Sequence, residues 1–427
     1  MRRIIFAGLT TLLLIPVING NAQITSAQVD SVVQKTLATF NVPGIAVAII
    51  KDDKVIHSKG YGLRSLNGTQ KVDENTLFGI ASNSKAFTAA ALAILVDEKK
   101  ITWDSKVIDY IPEFRVYDPY VTNAFTIKDL LTHRSGLGLG AGDLMIFPDS
   151  SDFSRKDIIY NLRFLKQVSE FRTKYDYDNL LYIVAGEVIA KVSGMSWEQF
   201  IETRILQPLG MNKTAATYSR LKDKTNVIDP HAPVNGKVQA IRRDFSEVAN
   251  AAGGIYSNIS DMSKWVMLQL NQGKYGENKS KQLFSIAQHC EMWSPQTIIQ
   301  TSGGGPYNVH FVSYGLGWFM ADEKGNKQVS HTGGLAGIVT QVMLVPDLKL
   351  GIIVFTNQQS GAAFTAITNT IKDSYYGVTG LDRIKQQKDR VDAGEKEAKE
   401  ITDKIWKDIE AQKSSAKPDT ATYAGVY

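Results

Sequence analysis

The spacing of apolar residues divides this chain before any motif is considered. Residues 25–40 place Val29, Val32, Val33, Leu37 and Phe40 near helical spacing, which predicts an amphipathic helix. Residues 44–50 are a continuous β-rich apolar run. Lys51-Asp52-Asp53-Lys54 interrupts it as a polar turn, and residues 55–61 complete a hairpin. A similar hairpin is predicted near the other end, from residues 341–345, a Pro346-Asp347 turn and residues 350–356. Between them the long periodic segments read as helices, at 87–98, 127–132, 182–192, 197–206 and 262–270. Strands cluster at the two ends and helices fill the middle. The fold class this predicts is α+β, an α/β sandwich: one antiparallel sheet built from both ends of the domain, flanked by helices, with a mostly helical insertion.

The pattern changes at both termini. Met1-Arg2-Arg3 followed by the apolar residues 4–18 has the form of a secretory signal, and Gly20-Asn21-Ala22 supplies small residues for cleavage before Gln23. Fifteen apolar-rich residues are short for a span, which needs about 20; an uncleaved anchor is the alternative. The division is therefore a signal peptide (1–22), one domain (23–380), a charged helical linker (381–416) and the possible start of an accessory β domain (417–427). The linker is rich in Lys, Glu, Asp and Gln around sparse apolar residues, and Tyr423-Ala424-Gly425-Val426-Tyr427 reads as an opening strand. A secreted or periplasmic protein with no stable membrane span is expected.

Composition narrows the function only a little. Acidic residues intersperse the basic ones, so the net charge of +5 leaves no nucleic-acid footprint. Cys290 is the one cysteine, which rules out an internal disulfide; it is expected to be a partly buried bystander.

Candidate chemistry begins at Ser82-Asn83-Ser84-Lys85, at the start of an apolar helix. Residues three apart share a helical face, so the lysine amine reaches the serine hydroxyl. Burial lowers a lysine pKa and makes it a usable base. Two further S-x-x-K sequences, Ser219 to Lys222 and Ser414 to Lys417, lie in polar surroundings that would keep the lysine protonated. Tyr177-Asp178-Asn179 is a candidate proton donor to the leaving group, with a nearby cation favouring its phenolate; Tyr256-Ser257-Asn258 is the rival. His331-Thr332-Gly333-Gly334 lies at or beside a strand edge, where backbone N–H groups can meet a substrate. The six histidines show no metal spacing, and there is no G-x-S-x-G, H-E-x-x-H or Walker sequence. No metal or cofactor is expected, and the partner expected is a small-molecule or peptide substrate.

With their flanks these three elements resemble the serine β-lactamase-like family, which holds class C β-lactamases, penicillin-binding D,D-peptidases and related esterases. The flanks are Phe78-Gly79-Ile80-Ala81, Leu130-Leu131-Thr132-His133-Arg134-Ser135-Gly136-Leu137, Gln207-Pro208-Leu209-Gly210-Met211, Ala252-Gly253-Gly254 with Asp261-Met262, and Tyr314-Gly315-Leu316-Gly317-Trp318. The resemblance covers roughly residues 24–376. It implies Ser82 as acyl-accepting nucleophile, Lys85 as its proton partner and Tyr177 as proton shuttle. It further implies substrate binding by Asn179, His331, Thr332 and Gly333, and an oxyanion hole from the N–H groups of Ser82 and Gly334. His331 replaces the lysine usual in class C enzymes, so a permanent cation for a substrate carboxylate is missing. The implied activity is acyl-enzyme cleavage of an amide or ester, foremost in a D-amino-acid peptide. A β-lactamase, a broad esterase and a non-catalytic penicillin-binding scaffold are the alternatives. Residues 138–175 and 215–245 are expected to line the cleft.

Overall fold

The computed structural model describes residues 23–149, 151–244, 246–413 and 419–425. The signal segment and the S-x-x-K at 414–417 lie outside them. In chain order the central sheet has β1 (Gly44–Lys51), β2 (Lys54–Gly62), β3 (Thr297–Ile299), β4 (Val312–Tyr314), β5 (Phe319–Glu323), β6 (Asn326–Leu335), β7 (Ile338–Val345) and β8 (Leu350–Thr356). Their spatial order is β2-β1-β8-β7-β6-β5-β4-β3, antiparallel throughout. The two ends meet where β1 pairs with β8, from Ile45 opposite Thr356 to Lys51 opposite Leu350. This is the sheet built from both ends that the two apolar hairpins predict.

The principal helices are α1 (Ser26–Phe40), α2 (Ser84–Asp97), α3 (Leu180–Ser193), α4 (Ile259–Leu270), α5 (Gly361–Tyr376) and α6 (Arg383–Ala411). All of β1 except Lys51 is buried, so both faces of the sheet must be covered. Alternate side chains point to opposite faces. Ile45, Val47 and Ile49 join Val29 and Val33 of α1 and Ile367 and Ile371 of α5 in one core. Ala46, Ala48 and Ile50 join the other core, with α2, α3 and α4. Helix α2 is buried on every side from Ser84 to Leu95. A helix apolar all round belongs inside a protein, and its burial carries Lys85 inside with it.

Several segments differ from the periodic reading. Residues 127–132 contain only a 3-10 turn, Asp129–Leu131. The Asp129 carboxylate accepts the Thr126 N–H and hydroxyl, a local side-chain bond that competes with helix. The 197–206 segment starts as a helix, Trp197–Ile201, and continues as a π turn. Helix α5 and strands β3 to β5 were not visible in the pattern. The segment expected as a linker forms the helix α6, exposed from Asp392 onward; in its first turn Arg383 pairs with Asp373 at 2.6 Å. Thr420–Tyr423 is a 3-10 turn, and residues 419–425 contain no strand. Cys290 is exposed, not partly buried: its short helix, Ile286–Met292, turns His289 and Met292 inward instead.

Candidate active site

The nucleophile candidate stands on a bend. A two-residue strand, Phe78–Gly79, pairs with Tyr256–Ser257, and the 3-10 turn Ala81–Asn83 then leads into α2. Ala81 takes a left-handed φ of 49°, a conformation costing an alanine about 1–2 kcal/mol. Neighbouring bonds hold it: Ile80 N–H donates to Ile255 O at 2.9 Å, and Thr340 Oγ1 donates to Ile80 O at 3.0 Å. Asn83 Nδ2 donates to Thr340 Oγ1 at 2.9 Å. The result leaves Ser82 half-buried between the buried Ala81 and Asn83. The sequence reading of one continuous helix start missed this bend.

Lys85 reaches that serine from behind. Its Nζ lies 3.2 Å from Ser82 Oγ, 2.8 Å from Asn179 Oδ1 and 3.0 Å from the Ala252 carbonyl. The last two atoms can only accept hydrogen bonds. A neutral amine has two hydrogens, both used there, so its lone pair is left for the Ser82 proton. Burial lowers the Lys85 pKa to about 7, with the carboxylates of Asp143 and Asp178 opposing the shift. The expected usable base is in place.

Tyr177 differs from expectation in one respect. Its residue surface is half-exposed, but its hydroxyl is buried and makes no aligned hydrogen bond. Lys85 Nζ sits 4.8 Å from its ring centre. Even so, burial raises the phenol well above 10, outweighing a hydrogen-bonding contribution from Ser82. The resting group is a neutral phenol, not the phenolate. Asn179 Nδ2 donates to Asp143, at 3.1 Å from each carboxylate oxygen. Asp178 Oδ1 caps α3 through the Leu180 N–H at 2.8 Å.

Strand β6 supplies the opposite wall. Its pairing with β5 ends at Ser330, whereas its pairing with β7 continues to Leu335. Residues 331–335 therefore present a free edge, although β6 is interior to the sheet. Thr332 and Gly334 are exposed on this stretch, while His331 and Gly333 are buried. A Cβ on Gly333 would sit 2.2 Å from Ile80 O and 2.5 Å from Thr340 Oγ1, so only glycine lets the strand approach Ser82 this closely. His331 is 1% exposed, and its Nε2 lies 3.0 Å from Tyr314 Oη. Burial, with Lys85 nearby, lowers its pKa to about 3. The histidine expected to contact substrate is thus a neutral part of the back wall, because its side chain points away from the exposed face.

Ser82, Tyr177, Asn179 and Gly334 line one cavity of about 230 Å³. Ile146 and Phe147 from the first expected insertion and Tyr218 and Asp244 from the second line it too. A hollow of about 320 Å³ beside Met211 and Arg220 holds none of these groups. Of the rivals, Tyr256 lines the same cavity, edge-on against Tyr218, while Asn258 caps α4 and Lys222 is exposed in a bend.

Sequence reasoning missed Asp143, Asp178, His133, Tyr182 and Tyr314. His133 packs 4.1 Å from the Tyr177 ring and 4.6 Å from Tyr314, centre to centre, and Tyr182 Oη donates to Leu131 O. His133, Tyr314 and Ala252 belong to the flanks that carry the family resemblance. Asp143 lies in an insertion, where nothing but length pointed to it.

Comparison with known proteins agrees with this geometry. The chain is 30% identical over 376 residues to an unguisins hydrolase, ungD, of Aspergillus violaceofuscus, covering 82% of this chain and 65% of that one. It is 26% identical over 338 residues to the protein flp of Staphylococcus aureus, covering 78% and 63%. The chain thus spans a little under two thirds of these relatives' length. The octameric penicillin-binding protein homologue from Pyrococcus abyssi shares the fold, with a TM-score of 0.72 at 24% identity over 83% of this chain and 78% of that one. The family model described as Beta-lactamase matches residues 29–375, and the chain belongs to this β-lactamase family of serine hydrolases.

Proposed function

We propose that the protein cleaves an amide or ester through an acyl-enzyme on Ser82, in a peptide containing a D-amino acid. The observation that carries the acyl-enzyme is the lone pair of Lys85, left for Ser82 by two acceptor-only neighbours. As Ser82 Oγ bonds to the substrate carbonyl carbon, its proton passes to Lys85. The N–H groups of Ser82 and Gly334 hold the oxyanion. Tyr177, a neutral phenol, gives its proton to the leaving nitrogen or oxygen as that bond breaks, and is reprotonated from Lys85. Water then attacks the acyl carbon, losing a proton to the same pair, and the acid leaves with Ser82 restored. Asn179, Thr332 and Gly333 border the substrate.

The D-amino-acid peptide rests on the family resemblance, and secretion or export to a periplasm on the signal-like start. A β-lactamase is the second reading. A neutral His331 counts against it, since it offers no charge to the drug's carboxylate. The complete Ser82–Lys85–Tyr177 set counts against a non-catalytic scaffold.

The test is the intact mass of the protein incubated with benzylpenicillin and with a fluorophosphonate, beside Ser82→Ala. Turnover of a chromogenic cephalosporin, a short-chain nitrophenyl ester and a D-Ala-D-Ala peptide is measured in parallel. A stoichiometric adduct lost in Ser82→Ala, with peptide turnover, supports the proposal. Labelling retained in the variant would sink the nucleophile.

A further inference from the structure

The walls of the Ser82 cavity have an uneven charge. Its ionisable lining comprises the acids Asp244 and Glu247 with the phenols Tyr177, Tyr218 and Tyr256; no Lys, Arg or His is among the described residues that line it. Asp143 adds a third carboxylate immediately behind Asn179. The nearest cations are Lys85 behind Ser82, Arg242, which also acts on Asp244, and Arg243, which packs against Tyr218 and Tyr256. Arg242 pairs with Asp149, and Arg243 pairs with Asp229 at 3.4 Å while its guanidinium lies 4.8 Å from the Tyr218 ring centre. His331 is neutral and buried on the opposite wall. Tyr177, whose hydroxyl is buried without an aligned partner, also lines it, and that hydroxyl is open to a polar group of the substrate.

We propose that the cavity selects an acyl group carrying a cation, a primary ammonium in the simplest case, held by Asp244 and Glu247. The acyl portion stays bonded to Ser82 while the leaving group departs, so it is the part of the substrate that the enclosed space must fit. Both acids have capacity left. Asp244 accepts the Ser246 N–H at 2.8 Å and Glu247 the Ser219 N–H at 3.2 Å, whereas a carboxylate offers about four acceptor positions. Both are half-buried, where an opposite charge is attracted more strongly than in bulk water. A carboxylate on the same acyl position would meet like charge from Asp244 and Glu247.

This inference rests on Ser82 being acylated, and its test separates the two. Three p-nitrophenyl esters of matched length are compared, with ε-aminocaproyl, heptanoyl and pimeloyl acyl groups ending in an ammonium, a methyl and a carboxylate. The ratio of kcat/KM for the ammonium ester over the carboxylate ester is read within each protein, so it does not depend on how much of a variant is folded. The expected ratio is about tenfold or more, falling with added salt and approaching one in Asp244→Asn/Glu247→Gln. Comparable turnover of all three esters, or an unchanged ratio in the double variant, overturns the selectivity while leaving the hydrolase reading intact. No turnover of any ester, with no Ser82 adduct from a fluorophosphonate, overturns both.

Discussion

Tyr314 Oη lies 3.0 Å from His331 Nε2, and this contact assigns the proton on the imidazole. The Thr332 carbonyl, 2.6 Å from Nδ1, can only accept, so Nδ1 carries the hydrogen. A neutral ring then accepts the Tyr314 hydroxyl proton at Nε2. Tyr314→Phe leaves that buried acceptor unsatisfied, a cost of about 1–3 kcal/mol. The expected result is a lower urea midpoint with an unchanged m-value. A midpoint equal to that of the parent protein would refute the assignment.

The pH dependence of catalysis belongs to Lys85. As the base it must be neutral, and burial lowers its pKa to about 7. Activity, measured as kcat/KM, should therefore rise with pH through about 7 and then level off. His331, lowered to about 3, adds no limb between pH 5 and 8. Lys85→Arg places a permanent charge there and should reduce kcat/KM by about 10²–10⁴. A profile flat across pH 5 to 8 would exclude Lys85 as the base.

Two adjacent glycines should respond unequally to alanine. At Gly333 the new Cβ meets backbone, 2.2 Å from Ile80 O, whereas at Gly334 it meets nothing within 4 Å. Gly333→Ala should cost about 1–3 kcal/mol, the usual range for overpacking. Gly334→Ala should stay within about 0.5 kcal/mol of the parent. Thermal unfolding of the pair decides this, and equal losses would show that β6 does not press on the Ser82 turn.

Tyr177→Phe distinguishes proton donation from simple packing. The phenol is neutral and buried. Amines leave poorly without a proton, while nitrophenolate leaves readily. The variant should lose about 10²–10⁴ in kcat/KM on a peptide amide and far less on a nitrophenyl ester. Parallel losses on both substrates would assign Tyr177 to shaping the cavity.

The sequence made some of this legible for identifiable reasons. Ser82 and Lys85 could be paired because i and i+3 face together and because residues 86–95 are apolar enough to bury a helix. The sheet closure could be read because β1 and β8 are buried on both faces and so show as unbroken apolar runs. Strands β3 and β4 have three residues each, too few for alternation to register. The φ of Ala81 is imposed by Ile255 and Thr340, far along the chain, and no local residue announces it. Proton positions were the least legible. Whether Tyr177 is a phenol and His331 neutral depends chiefly on burial, which no local run of residues reveals.

Asp178 offers the sharpest separation of structure from chemistry. Its carboxyl caps α3, yet it is fully buried and its pKa is raised to about 7, chiefly by burial. Below its ordinary value of 3.8 the group is neutral in folded and unfolded chains alike. Between 3.8 and about 7 only the unfolded chain ionises, so this group lowers stability as pH rises through that window. Asp178→Asn keeps an oxygen for the Leu180 N–H and removes the ionisation. The variant's Tm should therefore gain on the parent from pH 4 to 7. Asp178 also holds the Lys85 pKa up by its charge, secondarily to Asp143. Its loss should move the acid limb of kcat/KM to lower pH. A gain in Tm with an unmoved limb would mean that Asp178 caps the helix without acting on Lys85; a limb moved to higher pH would contradict the electrostatic arrangement of the site.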